Sequence, residues 1–499
     1  MLADFSLVNL GKLASTGQPA GGVAIIDCLD IDRPRSYTHG DIDQLADACA
    51  RGLLRAGLKR GDAVGLMSLN RVEFIAAYLG IMRAGLVAVP INHKVSADTL
   101  ALILDDSQAR LVFTDGERQA LLPQGVRAQR LDDATWQAFL DPGPFATVVP
   151  DADECAMILY TSGSTGRPKG VQLSHQGQLW TLRSRLSTRS SFVEERFIVA
   201  APLFHMNALT SVKFALAGGA SIVLLPQFDT RNFIRAIGEH GVTWVTSVPT
   251  MMAMVVKDQE ALARIDTAKV RYVRMGSAPA SDKLYEAVRK AFPNASLAGG
   301  YGTTEAGPIV FGPVAGRMPP VGGLGWPLDG VEVRLVDSQG RDAAEGELWM
   351  RTPANMLGYL NLPEKTAQVL TPDRWYKSGD VLRRDADGCY YFVGRVDDMF
   401  NCGGENIYPG EVEQVIARLP EVMQTCVVPV PDELKGHKPV AFVVLRDGAT
   451  LTQAQVQQFV LAHAPAYQHP RRVYFVEALP LAATNKIDRK ALIATAQAG

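Results

Sequence analysis

The chain has 499 residues, of which 47% are hydrophobic and 20% charged, and a formal net charge of −2 at pH 7. This length exceeds what one hydrophobic core usually supports, which predicts two or more domains, and the near-zero charge disfavours a nucleic-acid-binding protein. There is no apolar run long enough for a membrane span, no secretory-signal pattern at the start and no CxxC pair among the six cysteines. We therefore expect a soluble cytoplasmic enzyme with no integral membrane segment, zinc site or disulfide framework.

The first two hundred residues alternate helical and extended patterns. Thr38, with Asp41 three residues later, predicts a capped helix start, and Gly57 predicts the end of that helix. The strands predicted next are 62–69, 85–92, 221–226 and 243–249, with a buried helix over 74–84. This alternation predicts an α/β fold with a largely parallel sheet.

The pattern changes in the last third of the chain. Turn-rich sequence with short strands over 330–350 predicts a smaller antiparallel β-unit. After Arg395, a helix at 410–419 is followed by two strands, a second helix and a strand, which predicts a compact α+β module. The polar, Gly-rich stretch 392–411 separates the two patterns and is the predicted domain boundary.

The stretch YTSGSTGRPKG at 160–170 is the first that points to chemistry. Its glycines let backbone N–H groups turn toward one point, its hydroxyls add donors, and Lys169 adds a positive charge. The common phosphate loop spaces its Gly and Lys differently and has a hydroxyl after the Lys, where this chain has Gly170. A flexible linker is the alternative, but a linker needs neither Lys169 nor flanking strands.

Other motifs carry groups that suit a nucleotide. In GGYGTTEAG at 299–307, Tyr301 can stack on a base, Thr304 can bond a phosphate oxygen, and Glu305 can hold Mg²⁺. Asp380, in WYKSGD, offers two acceptors for a ribose diol, and Arg395 offers a further contact. Lys486 lies in a polar turn, TNKIDRK. Each residue alone fits a solvated or core position, but their joint occurrence in this order favours function.

Together these motifs resemble the adenylate-forming superfamily of acyl-CoA synthetases, firefly luciferase and non-ribosomal adenylation domains. The similarity covers nearly the whole chain and is carried by YTSGSTGRPKG, YGTTE, SGD, GRVDD, GGENIYPGEVE and NKIDRK. It implies an N-terminal domain, 1–395, with several α/β subdomains and a small β-subdomain near 325–395. It also implies a mobile C-terminal domain, 396–499, and an ATP site between the two domains.

The resemblance assigns roles residue by residue. The residues implied to bind ATP are Thr161, Ser162, Gly163, Ser164, Thr165, Gly166, Lys169, Gly276, Ser277, Ala278, Tyr301, Gly302, Thr303, Asp380 and Arg395. The implied catalytic residues are Lys486, Glu305, Thr304 and His205, and Glu305 is also the implied Mg²⁺ ligand. Asp397 is the implied hinge, and Gly403 and Gly404 are implied to line the CoA tunnel.

The resemblance implies an ATP-dependent acid–CoA ligase. Acid and ATP would give acyl-AMP and pyrophosphate, and the CoA thiol would then expel AMP after the C-terminal domain rotates. GGENIYPGEVE resembles CoA ligases more than carrier-linked adenylation domains, and the chain ends soon after Lys486, so we expect free CoA. An acyl-AMP ligase that loads a separate carrier protein, and a non-catalytic nucleotide-binding regulator, remain alternatives. A homodimer is compatible with the resemblance.

The acyl pocket is expected to be mostly apolar and to be built from the segments 202–209, 247–252, 275–280 and 299–311. Its candidate residues are Met206, Asn207, Met251, Gly300 and Gly302. Asn207 could recognise a polar substituent, and His205 would be a gate between acid and CoA, with a structural histidine as the alternative. Because these segments contain no Arg or Lys, a dicarboxylate is disfavoured. The prediction is an aromatic, benzoate- or hydroxycinnamate-like, or medium-chain monocarboxylic acid.

Overall fold

The structure is a computed structural model that describes residues 7–13, 20–162, 167–187, 191–276, 280, 282–314, 317–320, 322–481 and 487–498. The strands are β1 Val23–Asp27, β2 Arg35–Thr38, β3 Ala63–Met67, β4 Val87–Pro90, β5 Leu111–Thr114, β6 Ala128–Arg130, β7 Cys155–Ser162, β8 Pro168–Ser174, β9 Arg196–Val199, β10 Ser221–Leu224, β11 Trp244–Ser247, β12 Tyr272–Gly276, β13 Ser296–Gly300, β14 Phe311–Gly312, β15 Trp326–Pro327, β16 Glu332–Val336, β17 Glu345–Arg351, β18 Gly358–Tyr359, β19 Tyr376–Arg384, β20 Tyr390–Arg395, β21 Phe400–Cys402, β22 Glu405–Ile407, β23 Val422–Asp432, β24 Gly436–Leu445 and β25 Arg472–Phe475. The helices are α1 His39–Arg55, α2 Val72–Arg83, α3 Ala97–Ser107, α4 Gly116–Gln119, α5 Ala134–Phe139, α6 His175–Leu186, α7 Met206–Gly218, α8 Thr230–Glu239, α9 Pro249–Lys257, α10 Gln259–Leu262, α11 Asp282–Ala291, α12 Pro363–Val369, α13 Pro409–Ile416, α14 Gln453–His463 and α15 Arg489–Ala498, with a 3₁₀ turn at Ala466–Gln468.

Two seven-stranded sheets form the larger part of the fold. The first has the strand order β13-β12-β11-β9-β10-β1-β2, and the second has the order β18-β8-β7-β4-β3-β5-β6. The central strands of each sheet pair in parallel, whereas β2 at one edge of the first sheet, and β8 and β18 at one end of the second, pair antiparallel to their neighbours. The predicted α/β architecture is therefore confirmed, although its parallel strands are divided between two sheets.

Helix α2 lies in the core. All twelve of its residues are buried, as expected of a helix that is apolar on nearly every side. Gly80 permits close contact with α1, because a Cβ at this position would lie 2.8 Å from the Ala46 carbonyl oxygen. At the end of α2, Arg83 donates to Gly11 O at 2.7 Å and pairs with Asp43 at 2.6 Å. A buried guanidinium requires such partners, so this cluster fixes the chain start against both helices.

The predicted start and end of α1 are confirmed. Asp41 N–H donates to Thr38 Oγ1 at 3.1 Å, and Thr38 N–H donates to the Asp41 carboxylate at 2.8 Å, which completes a capping box. Gly57 follows the helix with a φ of +89°, a backbone conformation that favours glycine.

The last third of the chain forms two smaller sheets. Strands β16-β17-β19-β20 make the antiparallel unit that the sequence predicts. The C-terminal sheet has the order β22-β21-β24-β23, with β25 parallel to β24, and has its own core around Ile407, Val427 and Val443. Within the ranges given above, the helices are all too short or too polar to cross a membrane.

His175 connects the start of the chain to α6. Its Nδ1 accepts a hydrogen bond from the Leu10 N–H at 3.1 Å, and its side chain is buried. Burial lowers the pKa of His175 to about 4, so the folded protein holds a neutral imidazole where the unfolded chain binds a proton. The free energy of unfolding should therefore decrease as the pH falls from 6.5 toward 4, by at most about 1.4 kcal/mol per pH unit from this group.

We expect His175→Gln, whose amide oxygen can accept the same bond without titrating, to lose less stability over this pH window. Urea unfolding of both proteins at several pH values measures the difference. Identical pH slopes for the two proteins would contradict this role of His175.

Candidate functional site

The Gly-rich stretch connects two paired strands. Strands β7 and β8 are antiparallel, with Thr161 opposite Lys169 and Ser162 opposite Pro168. The connecting residues Gly163, Ser164, Thr165 and Gly166 lie outside the described residues, as does the side chain of Ser162. Lys169 therefore emerges at the base of a hairpin that carries the predicted phosphate-binding groups.

Tyr359 lies between Lys169 and Glu305. The Lys169 ammonium is 3.5 Å from the Tyr359 hydroxyl and 4.5 Å from the centre of its ring, and this hydroxyl lies 3.1 Å from Glu305 Oε1. Burial and the charge of Glu305 raise the pKa of Tyr359, which keeps the hydroxyl protonated and able to donate. Lys169, which is predicted to bind phosphate, and Glu305, which is predicted to bind the metal, thus both contact the hydroxyl of Tyr359.

Sequence reasoning missed Tyr359. The sequence around Tyr359 contains no motif that would have pointed to this residue. In the structure, the short edge strand Gly358–Tyr359 pairs with β8 beside Val171. Pairing with β8, the strand that carries Lys169, is what brings this tyrosine to the site.

A buried carboxylate joins a second group of predicted residues. Asp380 Oδ2 accepts from the Tyr301 hydroxyl at 2.5 Å, and Oδ1 accepts from Arg395 Nη1 at 2.7 Å. Arg395 also lies 3.7 Å from Asp397, in the turn after β20. Because a carboxylate offers about four lone-pair positions, Asp380 can accept further hydroxyl groups. Burial and, to a lesser extent, the charge of Asp380 raise the pKa of Tyr301, so its hydroxyl stays protonated and remains a hydrogen-bond donor.

The loop after β13 is held by close backbone packing. A Cβ at Gly302 would lie 2.3 Å from the Pro308 carbonyl carbon, so a side chain does not fit there. Thr303 N–H donates to Gly307 O at 3.0 Å, and Glu305 O accepts from Met356 N–H at 2.6 Å. These bonds fix the backbone at Thr303 and Glu305, and the hydroxyl of Tyr359 holds the Glu305 carboxylate. Thr304 is half-buried.

Glu305 is suited to one kind of metal site. Mg²⁺ commonly takes one or two carboxylates together with nucleotide phosphates and waters. Among the residues that the structure describes, no group of three or more His, Cys, Asp or Glu side chains could hold a metal alone. Glu305 therefore fits a magnesium ion that binds together with phosphate.

The adenine and acyl candidates lie along the first sheet and α7. Gly276 and Gly300 are paired on β12 and β13, whereas Ser277 and Ala278 are not among the described residues. His205 precedes α7 and packs on Phe204 with ring centres 4.5 Å apart. The first two residues of α7 are Met206, which is buried, and Asn207, which is half-buried.

Met251 packs elsewhere. It belongs to a hydrophobic core with Val245 and Val273, whereas Met206 belongs to a core with Trp244. Because side chains alternate along a strand, Trp244 and Val245 point to opposite faces of the first sheet. Met206 and Met251 therefore belong to different hydrophobic clusters, and their joint role in the acyl pocket stays a prediction.

The predicted CoA glycines form the turn between β21 and β22. Gly403 and Gly404 have φ values of +63° and +96°, which favour glycine. Gly404 borders a cleft of ≈ 660 Å³ that Glu345 of β17 and Gln468 also line. Lys486 lies in the segment 482–486, outside the described residues, so its position relative to Glu305 remains a prediction.

Comparison with known proteins relates these observations to a family. The family model "AMP-binding enzyme" matches residues 14–360, and the model of the C-terminal domain of the same enzymes matches 411–486. A 4-coumarate–CoA ligase of Oryza sativa subsp. japonica is 32% identical, with 93% of this chain and 90% of that protein covered.

Solved structures give the same relationship. The anthranilate CoA ligase AuaEII in complex with anthranoyl-AMP superposes with a TM-score of 0.87 at 27% identity, covering 96% of this chain and 95% of that chain. ATP-bound MatB from Rhodopseudomonas palustris superposes with a TM-score of 0.88 at 26% identity, covering 99% of both chains.

The packing at Gly302 gives a testable consequence. Gly302→Ala places a methyl group against the Pro308 backbone and should lower the free energy of unfolding by about 1–3 kcal/mol. Gly21→Ala is the matched control, because a Cβ at Gly21 meets nothing within 4 Å, and its effect should stay within about 0.5 kcal/mol. Urea unfolding measures both variants, and equal stabilities would contradict the close packing described for this loop.

Proposed function

The chain belongs to the family of AMP-binding enzymes, and from this we propose that it is an ATP-dependent carboxylic acid–CoA ligase. Acid and ATP would give acyl-AMP and pyrophosphate, and the thiol of CoA would then attack the acyl carbonyl and release AMP. The observation that carries the proposal is the pair of groups built on Glu305 and Asp380, one suited to phosphates and the other to ribose. The related proteins named as CoA ligases support the same reaction.

Nucleotide binding would use both groups. Lys169 would neutralise the phosphates that become pyrophosphate, because positioned cations stabilise the charge that develops on phosphate oxygens. Asp380 would accept hydrogen bonds from the ribose hydroxyls, with Arg395 keeping the carboxylate in place. Glu305 would hold Mg²⁺, and the ion when bound would offset phosphate charge.

The first step, formation of acyl-AMP, would give the acid a good leaving group. A carboxylate does not react with a thiol, because its oxygen leaves poorly. Attack of the carboxylate on the α-phosphorus of ATP makes a mixed anhydride whose leaving group is AMP. Lys486 would lie between the carboxylate and the α-phosphate and would stabilise both negative charges while the new bond forms.

The second step, transfer of the acyl group to CoA, would need different residues of the C-terminal domain at the same site. Rotation of the C-terminal domain, 396–499, about Asp397 would withdraw Lys486 and bring Gly403 and Gly404 to the N-terminal domain, 1–395. Glycines leave room for the narrow pantetheine arm of CoA. Asp397 lies in a turn between two sheets with separate cores, which suits a hinge.

The body of the acid would be aromatic or of medium chain length. The names of the rice 4-coumarate ligase and the anthranilate ligase support an aromatic acid. Phe197, Phe214 and Trp244 pack together beside α7, the helix that carries Asn207, and so form an apolar wall near the proposed pocket. His205 would separate the acid from CoA.

Product analysis tests the function. The protein is incubated with ATP, Mg²⁺ and a panel of aromatic and aliphatic acids, with CoA or with a phosphopantetheinylated carrier protein. Mass spectrometry should then find an acyl-CoA thioester, AMP and pyrophosphate. An acylated carrier without acyl-CoA would indicate a carrier-loading ligase, and ATP binding without pyrophosphate from any acid would indicate a regulator; either result contradicts the proposal.

Lys486→Ala should separate the two steps. We expect acyl-AMP formation to fall by on the order of 10²–10³-fold, because a positioned charge is lost, whereas thioester formation from supplied acyl-AMP should change much less. Lys490→Ala, at an exposed position on α15, is the matched control. Pyrophosphate release and thioester formation are measured separately for each variant, and normal pyrophosphate release by Lys486→Ala would contradict the role of this lysine.

A further inference from the structure

A small internal cavity adjoins the proposed acyl residues. It has a volume of ≈ 20 Å³ and lies among α6, α7, β9, β11 and β12. Ser211, which lines it, donates to the Asn207 carbonyl oxygen at 2.9 Å, one helical turn back along α7. Arg274, which also lines it, lies against Gly300, where a Cβ would be 2.8 Å from the arginine Nε. The cavity is therefore next to the wall assigned to the acid.

Two polar side chains that line this cavity, those of Arg274 and Thr210, lack a good hydrogen-bond partner among the described residues. Arg274 has no carboxylate within ion-pair distance among the described residues, and its guanidinium makes one long contact, 3.4 Å from Nη2 to Pro308 O. Arg185 lines the same cavity. Burial, then the charge of Arg185, lowers the pKa of Arg274 to about 9. Thr210 Oγ1, also at the cavity, is buried with no hydrogen-bond partner in the part of the chain described.

The chemistry of these groups defines what would fit. Burying a guanidinium without a counter-charge is costly, and a bound anion would remove that cost. The volume of ≈ 20 Å³ is room for one to two water-sized atoms, since a single water needs about 10–15 Å³ by the same measure, so only the terminal oxygens of a polar group would enter it. A hydrocarbon tail would leave the donors unsatisfied, whereas a carboxylate would accept from the planar fork of an arginine.

We propose that the acid substrate carries a second anionic group, a carboxylate, remote from the reacting carboxyl, and that Arg274 binds it with Arg185 adding positive charge. This inference rests on the proposed ligase function. It revises the expectation of a monocarboxylic acid. That expectation was based on the absence of Arg and Lys from the four segments expected to form the acyl pocket. Arg274 immediately precedes one of those segments, and Arg185 comes from α6, which the sequence did not connect to the pocket.

Matched pairs of acids test the proposal in the full-length protein. The pairs are adipate with hexanoate and terephthalate with 4-methylbenzoate, and the value of kcat/KM is obtained from CoA-dependent pyrophosphate release. We expect the diacid to exceed its monoacid partner by roughly 10- to 100-fold in a pair that is turned over. Preference for the monoacid would overturn the inference and leave the ligase function standing. Release of pyrophosphate with no acid at all would contradict the ligase function itself.

Variants of Arg274 assign the preference to this side chain. Arg274→Met should lower the diacid-to-monoacid ratio of kcat/KM by roughly 10- to 100-fold, and Arg274→Lys, which keeps the charge but not the fork, should lower it less. Arg231→Met, at an exposed ion pair on α8, is the matched control and should keep the ratio of the parent. Circular dichroism checks the fold of each variant, and if Arg274→Met does not fold, Arg274→Lys carries the comparison. An unchanged ratio in a folded Arg274 variant would overturn the inference.

Discussion

The buried carboxylate of Asp380 is the interaction on which the arrangement of the site depends. It accepts from Tyr301, which follows β13 of the first sheet, and from Arg395, which ends β20 of the small antiparallel sheet. A buried carboxylate is stable only when it is paired and hydrogen-bonded, so the same group fixes the positions of both donors. Because the chain turns toward the C-terminal sheet directly after Arg395, this carboxylate also determines where the proposed hinge begins.

Tyr359 organises the second group of the site, Lys169 and Glu305, in a similar way. Its hydroxyl holds the Glu305 carboxylate and its ring lies beneath the Lys169 ammonium, so a cation and an anion are kept close without forming an ion pair with each other. Each charge can then interact with a ligand of opposite sign. A phosphate with its metal ion presents both signs at once, which is the chemistry that acid activation by ATP requires. Beyond this region, Arg274 places a third charge where the acid would end.

Local chemistry made part of this structure predictable. The capping box of Thr38 and Asp41 depends on residues three positions apart, and the residues that meet at Asp380 were predicted because each belongs to a recognisable motif. Long-range pairing was not predictable in this way. Strand β1 pairs with β10, nearly two hundred residues later, so nothing local to β1 indicates that the parallel strands form two sheets. Tyr359 and Arg274 were missed for the same reason, since neighbouring strands rather than their own sequence bring them to the site.

The central claim is that this chain activates a carboxylic acid as an acyl-AMP before any thiol takes part. Exchange of labelled pyrophosphate into ATP, measured with Mg²⁺ and an accepted acid but without CoA, tests this most directly. We expect exchange that depends on the acid and proceeds in the absence of CoA, because the first step is complete and reversible by itself. Exchange that requires CoA, or that is equally fast without an acid, would contradict it.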